Sequence, residues 1–211
     1  DRAEILTRAW QAHAQHLLPA LHERIASATG DPAPDSAPED GFLRVDMDEY
    51  HRVGSGGRIG TFGVSTCTAV IVCLPGSFAY LGHCSVADAI YGEPDGTDLI
   101  GGMLRDIRDF EIPRARMRHL RATVVAPHLD SLPGVIERLL DAGLLLDQIV
   151  LRHQDDADHA IVAHACAATG GCHTEVDWVG GTADSRSLRL DRLVHGLLAT
   201  DSQPPPLAHH Q

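Results

Sequence analysis

Residues Cys67–Leu74 (CTAVIVCL) are an unbroken apolar run rich in β-branched side chains, closed by Pro75–Gly76 and followed by Ser77–Cys84 (SFAYLGHC). Valine and isoleucine are stiff at χ1 and suit a pleated backbone. A strand that is apolar at every position offers no face to water, so it belongs inside a sheet covered on both sides. Pro75–Gly76 turns the chain, and Ser77–Cys84 reads as the returning strand of a hairpin. The rest of the chain must therefore build a layer on each face of this hairpin. At 211 residues and 44% apolar it has enough material for one domain with appendages, and with only 4% aromatic residues its packing rests on Val, Ile, Leu and Ala.

Residues 1–30 read as an N-terminal helical extension, with Ile5, Ala9, Ala12, Leu17, Leu21 and Ile25 near helical spacing and Pro19 expected to kink or split it. Residues 31–41 (DPAPDSAPEDG) have the composition of a linker. The main domain is expected over 42–181. It opens with a strand at Phe42–Met47 and a Gly-rich turn at Gly54–Gly60, ahead of the hairpin. Thr97 or Asp98 caps a helix through Leu99, Met103, Ile107 and Phe110. A strand at Leu120–Ala126, a helix from Pro133 to Leu146, and strands at Gln148–Arg152, His159–Ala167 and His173–Val179 follow, the last two joined at Gly170–Gly171. A C-terminal helix is expected within 182–200, and 201–211 reads as a disordered tail. This order implies an α+β layered sandwich with a mixed β-sheet, plus the extra N- and C-terminal helices.

Seventeen basic against 29 acidic residues give a formal charge of −12. Such a chain is repelled by phosphate backbones and anionic bilayers, which argues against nucleic acid as a partner. No run of 18 apolar residues predicts a membrane span. Five cysteines cannot all pair within one chain, and a reducing, cytoplasmic setting is expected, a secreted effector being the other setting considered.

The hairpin brings chemistry-bearing residues together. A two-residue Pro75–Gly76 loop would set Cys67 opposite Cys84, with His83 adjacent; a three-residue loop is expected to set Cys67 opposite His83. Opposed residues of an antiparallel pair have Cα atoms about 4.5–5.5 Å apart. A cysteine needs a nearby base to react as thiolate at neutral pH, and an imidazole supplies one. The small, polar run Thr61–Thr66 that leads into Cys67 is a place where backbone N–H groups are left to bind an oxyanion.

The run G-T-F-G-V-S-T-C-T-A-V-I-V-C, with Y-L-G-H after it, resembles the active-site hairpin of the CheD-type chemoreceptor glutamine deamidases. That family carries a Thr six residues before its nucleophilic Cys, and a His about 17 residues after it. Thr61, Cys67 and His83 stand in these places. The resemblance spans roughly Phe42 to Val179, and the cytotoxic necrotizing factor toxins share its Cys–His pair and also deamidate glutamine. It implies a CheD-like fold and a cysteine-dependent protein glutamine deamidase with Cys67, His83 and Thr61 as catalytic residues. Ser65 and Thr66 would contact the oxyanion or substrate; no cofactor would be needed, and the partner would be a protein presenting a glutamine. The chain departs from the family at Ser65, where a glycine is usual, at Ala126-Pro127-His128, and at Gln154–Asp158. These departures bear on the chemotaxis role more than on the catalytic trio.

Two other readings stand beside this one. His164, Cys166, Cys172 and His173 are a weak zinc-ligand set, because Cys172 and His173 should point to opposite faces of a strand. Cys67, His83 and Cys84 form another conceivable metal set. A non-catalytic binding module on the same scaffold, with Cys67 buried, is the remaining alternative. The Gly-rich stretch Gly54–Gly60 is followed by no P-loop lysine. Asp155, Asp156 and Asp158 read as a solvated turn, and Cys73, Trp10 and Trp178 as packing.

Overall fold

A computed structural model describes residues 1–28, 30–32, 41–85, 98–112, 114–180 and 186–201. Of the expected tail at 201–211, Asp201 is the last residue of a helix and 202–211 lie outside the described residues. The described chain forms three layers: helices, a seven-stranded sheet and a four-stranded sheet. The large sheet has the order β1 (Asp31–Pro32), β11 (Arg186–Arg189), β8 (Ile149–His153), β7 (Arg121–Val125), β5 (Thr68–Leu74), β6 (Phe78–Cys84), β3 (Glu49–Gly54). The small sheet has the order β10 (Cys172–Gly180), β9 (Ala157–Cys166), β4 (Arg58–Val64), β2 (Leu43–Val45). Both are mixed, with β7–β8 and β2–β4 parallel and the other pairs antiparallel. The expected α+β sandwich with a mixed sheet is therefore present, with a second sheet in addition.

The alternation along β5 and β6 explains their uniform apolarity. Val70, Val72, Phe78, Tyr80 and Cys84 pack towards the helices, whereas Ala69, Ile71 and Leu81 pack towards the small sheet, beside Val45, Ile59, Val64 and Val162. Burial on both faces leaves Thr68, hydrogen-bonded to Ser131, as the one polar side chain in β5, which is buried throughout except at Leu74.

The helical layer contains α1 (Arg2–Ser27), α2 (Leu99–Asp106), α3 (Leu132–Asp141) and α4 (Leu190–Asp201). No helix among the described residues is long and apolar enough to cross a membrane. Helix α1 runs through Pro19 without a break. The carbonyl that Pro19 leaves without an N–H partner belongs to Gln15, on the solvent side, where water can satisfy it. Its buried face is Thr7, Trp10, Leu17, Leu21 and Ile25, while Ile5 is 70% exposed, so the expected stripe was out of phase in the first turns. Asp98 caps α2 by accepting from Gly101 N at 2.9 Å, and accepts Arg138 of α3 at 2.9 Å. Past Asp106 the helix widens into a π-type turn over Ile107–Glu111, which carries Phe110 out to 79% exposure instead of into the core.

Four segments differ from the sequence reading. Asp31–Pro32 of the expected linker pairs with β11, and Arg186–Arg189, expected as helix, is a strand pairing with β8. The Gly-rich turn is confined to Gly54–Gly57 between β3 and β4, and β3 itself was unforeseen. Asp155 is also more than a solvated turn residue, since it accepts hydrogen bonds from His153 Nε2 at 2.8 Å and Arg186 at 3.1 Å. Arg186 in turn donates to the Ile25 and Ala28 carbonyls at the end of α1. The terminal helices thus share the principal core with β5, β7 and β8.

Candidate active site

The hairpin turn holds three residues, Pro75-Gly76-Ser77, with Leu74 opposite Phe78. This register pairs Thr68 with Cys84 and Ala69 with His83. Cys67 is therefore opposite neither Cys84 nor His83, as either expected register would have had it. It precedes Thr68 and belongs to the face of Ala69, Ile71 and Leu81, which is also the face of His83. Cys67 and His83 are diagonal neighbours on that face, a relation that puts Cβ atoms about 7 Å apart. Cys84 packs on the opposite, helix-facing side, so a metal set of Cys67, His83 and Cys84 cannot converge.

Thr61 reaches this face from the other sheet. It is fully buried on β4, and its Oγ1 lies 2.7 Å from His83 Nδ1 and 2.7 Å from the Val45 carbonyl oxygen. A carbonyl can only accept, so the threonine hydroxyl donates to Val45 and its oxygen accepts from Nδ1–H. That assignment places the ring proton on Nδ1 and leaves Nε2 as a bare lone pair. Among the described residues Nε2 is buried with no hydrogen-bond partner, the Cys67 thiol included. The imidazole is thus oriented by one nitrogen and free at the other, the arrangement a general base requires.

Ser65, Thr66 and Cys67 form the bend that carries the chain from β4 in one sheet to β5 in the other. The β4–β9 register slips between Thr61 and Val64, where Gly63 takes φ +67°, and the ladder resumes for the single pair Val64–Ala160 before the chain leaves it. Residues 65–67 lie between the β4 and β5 ladders, with Val64 and Thr68 the last and first paired residues on either side.

Electrostatics keep both groups neutral. Burial, and after it the Asp48 carboxylate, pushes the Cys67 thiol up from its ordinary value. Burial lowers the His83 pKa, against the opposing pull of Asp48 and Asp46. Cys67 is 8% exposed and His83 3%. Asp48, which sequence reasoning missed, sits at φ 61°, donates its N–H to the His83 carbonyl at 2.7 Å and accepts Ser85 N at 3.0 Å. A non-glycine residue in the left-handed region is uncommon, though Asp tolerates it better than most. No sequence signal singled it out, because its proximity comes from β3 pairing with β6.

The grooves along the helical layer, such as one of ≈ 460 Å³ lined by Trp10, His13, Pro133 and Glu137, do not include Thr61, Cys67 or His83.

A second cluster lies at the far end of β5. Cys73, His164 and Cys172 bring one ligand atom each to within 4.8 Å of one another. Of the four residues read as a weak zinc set, His164 and Cys172 belong to it, and Cys166 lies next to it in the small core shared with Cys73. His173 is exposed on the other face of β10. Cys73, expected only as packing, belongs both to that small core and to the cluster. The cluster as such is compatible with metal binding or with catalysis.

No protein-family model matches the chain, and no curated protein does so significantly. Among solved structures, the hypothetical protein YfiH of Bacillus licheniformis is similar at 14% sequence identity and a TM-score of 0.29, over 91% of this chain and 68% of that one. At that score the likeness carries no argument about activity.

Proposed function

We propose that the protein is a cysteine-dependent hydrolase acting on a carboxamide, most specifically a CheD-like protein glutamine deamidase with Cys67 as nucleophile and His83 as base. The observation that carries the reading is the Thr61–His83 hydrogen bond, which turns a bare Nε2 onto the sheet face of Cys67. Both groups being neutral favours proton transfer during attack over a resting thiolate–imidazolium pair.

His83 Nε2 takes the thiol proton as Cys67 Sγ bonds to the carboxamide carbon. The carbonyl becomes an oxyanion, held by the N–H groups of Cys67 and Thr66 in the bend, with Ser65 beside the substrate. The intermediate collapses with cleavage of the C–N bond, Nε2–H protonates the departing ammonia, and a thioester remains. Nε2 then takes a proton from water, which attacks the thioester, and returns it to the sulfur. The net change is carboxamide plus water to carboxylic acid plus ammonia, and no cofactor enters.

A protein substrate is favoured by exposed apolar side chains on the elements that carry the site. Leu43 and Phe62, on the strands that carry Val45 and Thr61, and Met47 next to Asp48 are 46%, 41% and 60% exposed. Arg44 lies over the Phe62 ring at 5.1 Å. A non-catalytic binding module would keep this apolar patch without needing the free Nε2.

The test is ammonia release and the amide-to-acid mass change in glutamine-bearing proteins, with Cys67→Ser as control. Deamidation by the native chain and none by Cys67→Ser is the expected result. If Cys67 resists alkylation until the protein unfolds and no glutamine is converted, the hydrolase reading fails and the binding module stands.

A further inference from the structure

We propose that Cys73, His164 and Cys172 form a second site, separate from the Cys67–His83 pair, that binds one thiophilic metal ion of the Zn²⁺ type. Cys67 and Cys73 stand at opposite ends of β5, about 20 Å apart at the usual rise per residue. The two sites share no ligand, and neither proposal depends on the other.

The site is assembled from both sheets. Cys73 comes from the last turn-proximal positions of β5, and His164 and Cys172 come from the neighbouring strands β9 and β10. Along β9, Ala160 and Val162 face the large sheet, and alternation puts His164 on the same side. Cys172 and Thr174 share that side, because Val176 does.

Three observations meet there. The three ligand atoms already lie within 4.8 Å of one another. Tetrahedral Zn²⁺, with Zn–S of about 2.3 Å and Zn–N of about 2.0–2.1 Å, needs its ligands about 3.5–3.8 Å apart, so a contraction of about an ångström closes the site. His164 is 1% exposed, yet its Nε2 has no hydrogen-bond partner among the described residues. Its other nitrogen is held by Thr174 Oγ1 at 2.9 Å, the kind of outer contact that orients a metal-bound imidazole.

Two thiolates and one imidazole are a soft set that favours Zn²⁺ over Mg²⁺ or Ca²⁺. Cys172 is exposed, which gives an ion its path in and leaves a fourth position for water. A disulfide between Cys73 and Cys172 would leave His164 Nε2 as unpartnered as before, whereas a metal ion satisfies all three atoms.

The reduced, chelator-stripped full chain is titrated with Co²⁺ and the complex read by its absorption. One Co²⁺ per chain, with thiolate-to-cobalt charge-transfer bands and the strong d–d bands of tetrahedral coordination, displaced by Zn²⁺, is expected. Cys172→Ser, a change at an exposed position, should remove the thiolate band or weaken binding at least tenfold. Thr174→Val should weaken it by about 10–100-fold. Cys67→Ala should bind as the native chain does, and Zn²⁺ should protect Cys73 and Cys172 from alkylation while leaving Cys67 unprotected. Absence of the thiolate band in the reduced native chain would overturn the proposal, as would unchanged Co²⁺ affinity in Cys172→Ser or lost binding in Cys67→Ala. A reduced chain that binds no Co²⁺ but forms a Cys73–Cys172 disulfide on mild oxidation would overturn it in favour of a redox pair.

Discussion

The hydroxyl of Thr61 ties the two sheets together at His83, donating to the Val45 carbonyl and accepting from the imidazole Nδ1, each at 2.7 Å. Because one contact fixes the direction of the other, the tautomer of His83 is set from the opposite sheet. Thr61→Val keeps the shape of the side chain and removes both bonds. The imidazole is then free to place its proton on Nε2, where it cannot act as base. Alkylation of Cys67 and deamidation should fall by roughly 10²–10⁴, the range lost with a general base. Thr61→Ser should restore most of the rate, which a purely structural role for the threonine methyl would not.

Asp48 opposes formation of the Cys67 thiolate. Asp48→Asn retains an acceptor for Ser85 N and a residue tolerant of φ 61°, while removing the charge. Alkylation of Cys67 by iodoacetamide near neutral pH should quicken by roughly two- to tenfold, equivalent to a thiol pKa lowered by up to about one unit. An unchanged rate would show that burial alone holds the thiol up.

The pH dependence follows from the direction of the His83 shift. Burial puts its folded pKa below the ordinary 6.5, so the base form persists into mildly acidic solution. Turnover should rise with pH through that lowered value and stay high through 6.5, where an unperturbed histidine would still be half protonated. Stability has the same sign. The unfolded chain takes up a proton at His83 near 6.5 and the folded chain does so only lower, so this contribution is full above 6.5 and is lost as pH falls through the folded pKa. Denaturant midpoints of native protein and His83→Gln across that window should converge towards acid.

Helix α1 is part of the principal core. Ile25 is fully buried in it and Ile5 is 70% exposed. Ile25→Ala should cost about 2–5 kcal/mol in chemical denaturation, whereas Ile5→Ala should stay within about 0.5 kcal/mol. Equal, small effects would mean that the N-terminal helix is an appendage.

Gly76 in the β5–β6 turn takes φ +77°, and a Cβ there would meet Gly170 Cα at 2.7 Å. The turn therefore presses on the β9–β10 turn beside Cys73 and Cys172. Gly76→Ala should destabilise the fold by about 1–3 kcal/mol through strain and displaced backbone, and should weaken Co²⁺ binding. Thermal unfolding and the cobalt titration check the two effects separately.

The sequence by itself determined the hairpin, the start of α2 and the α+β class, because these depend on contacts among near neighbours. The apolar run Cys67–Leu74 suits a strand buried on both faces, and Asp98, one of two capping candidates, does start a helix, whereas Ser131 makes no capping bond at α3 and meets Thr68 instead. It also brought Cys67 and His83 into one hairpin. Tertiary structure decided the rest. The three-residue turn set Ala69, not Cys67, opposite His83, a shift of register that local composition does not encode. The hydrogen bond from Thr61, the charge of Asp48 and the meeting of Cys73 with His164 and Cys172 all join strands of different position in the chain. Asp48 depends on β3 pairing with β6, and the other two on how one sheet lies on the other, which is fixed by the packing of Val45, Ile59, Val64, Ile71, Leu81 and Val162 between them, not by any motif.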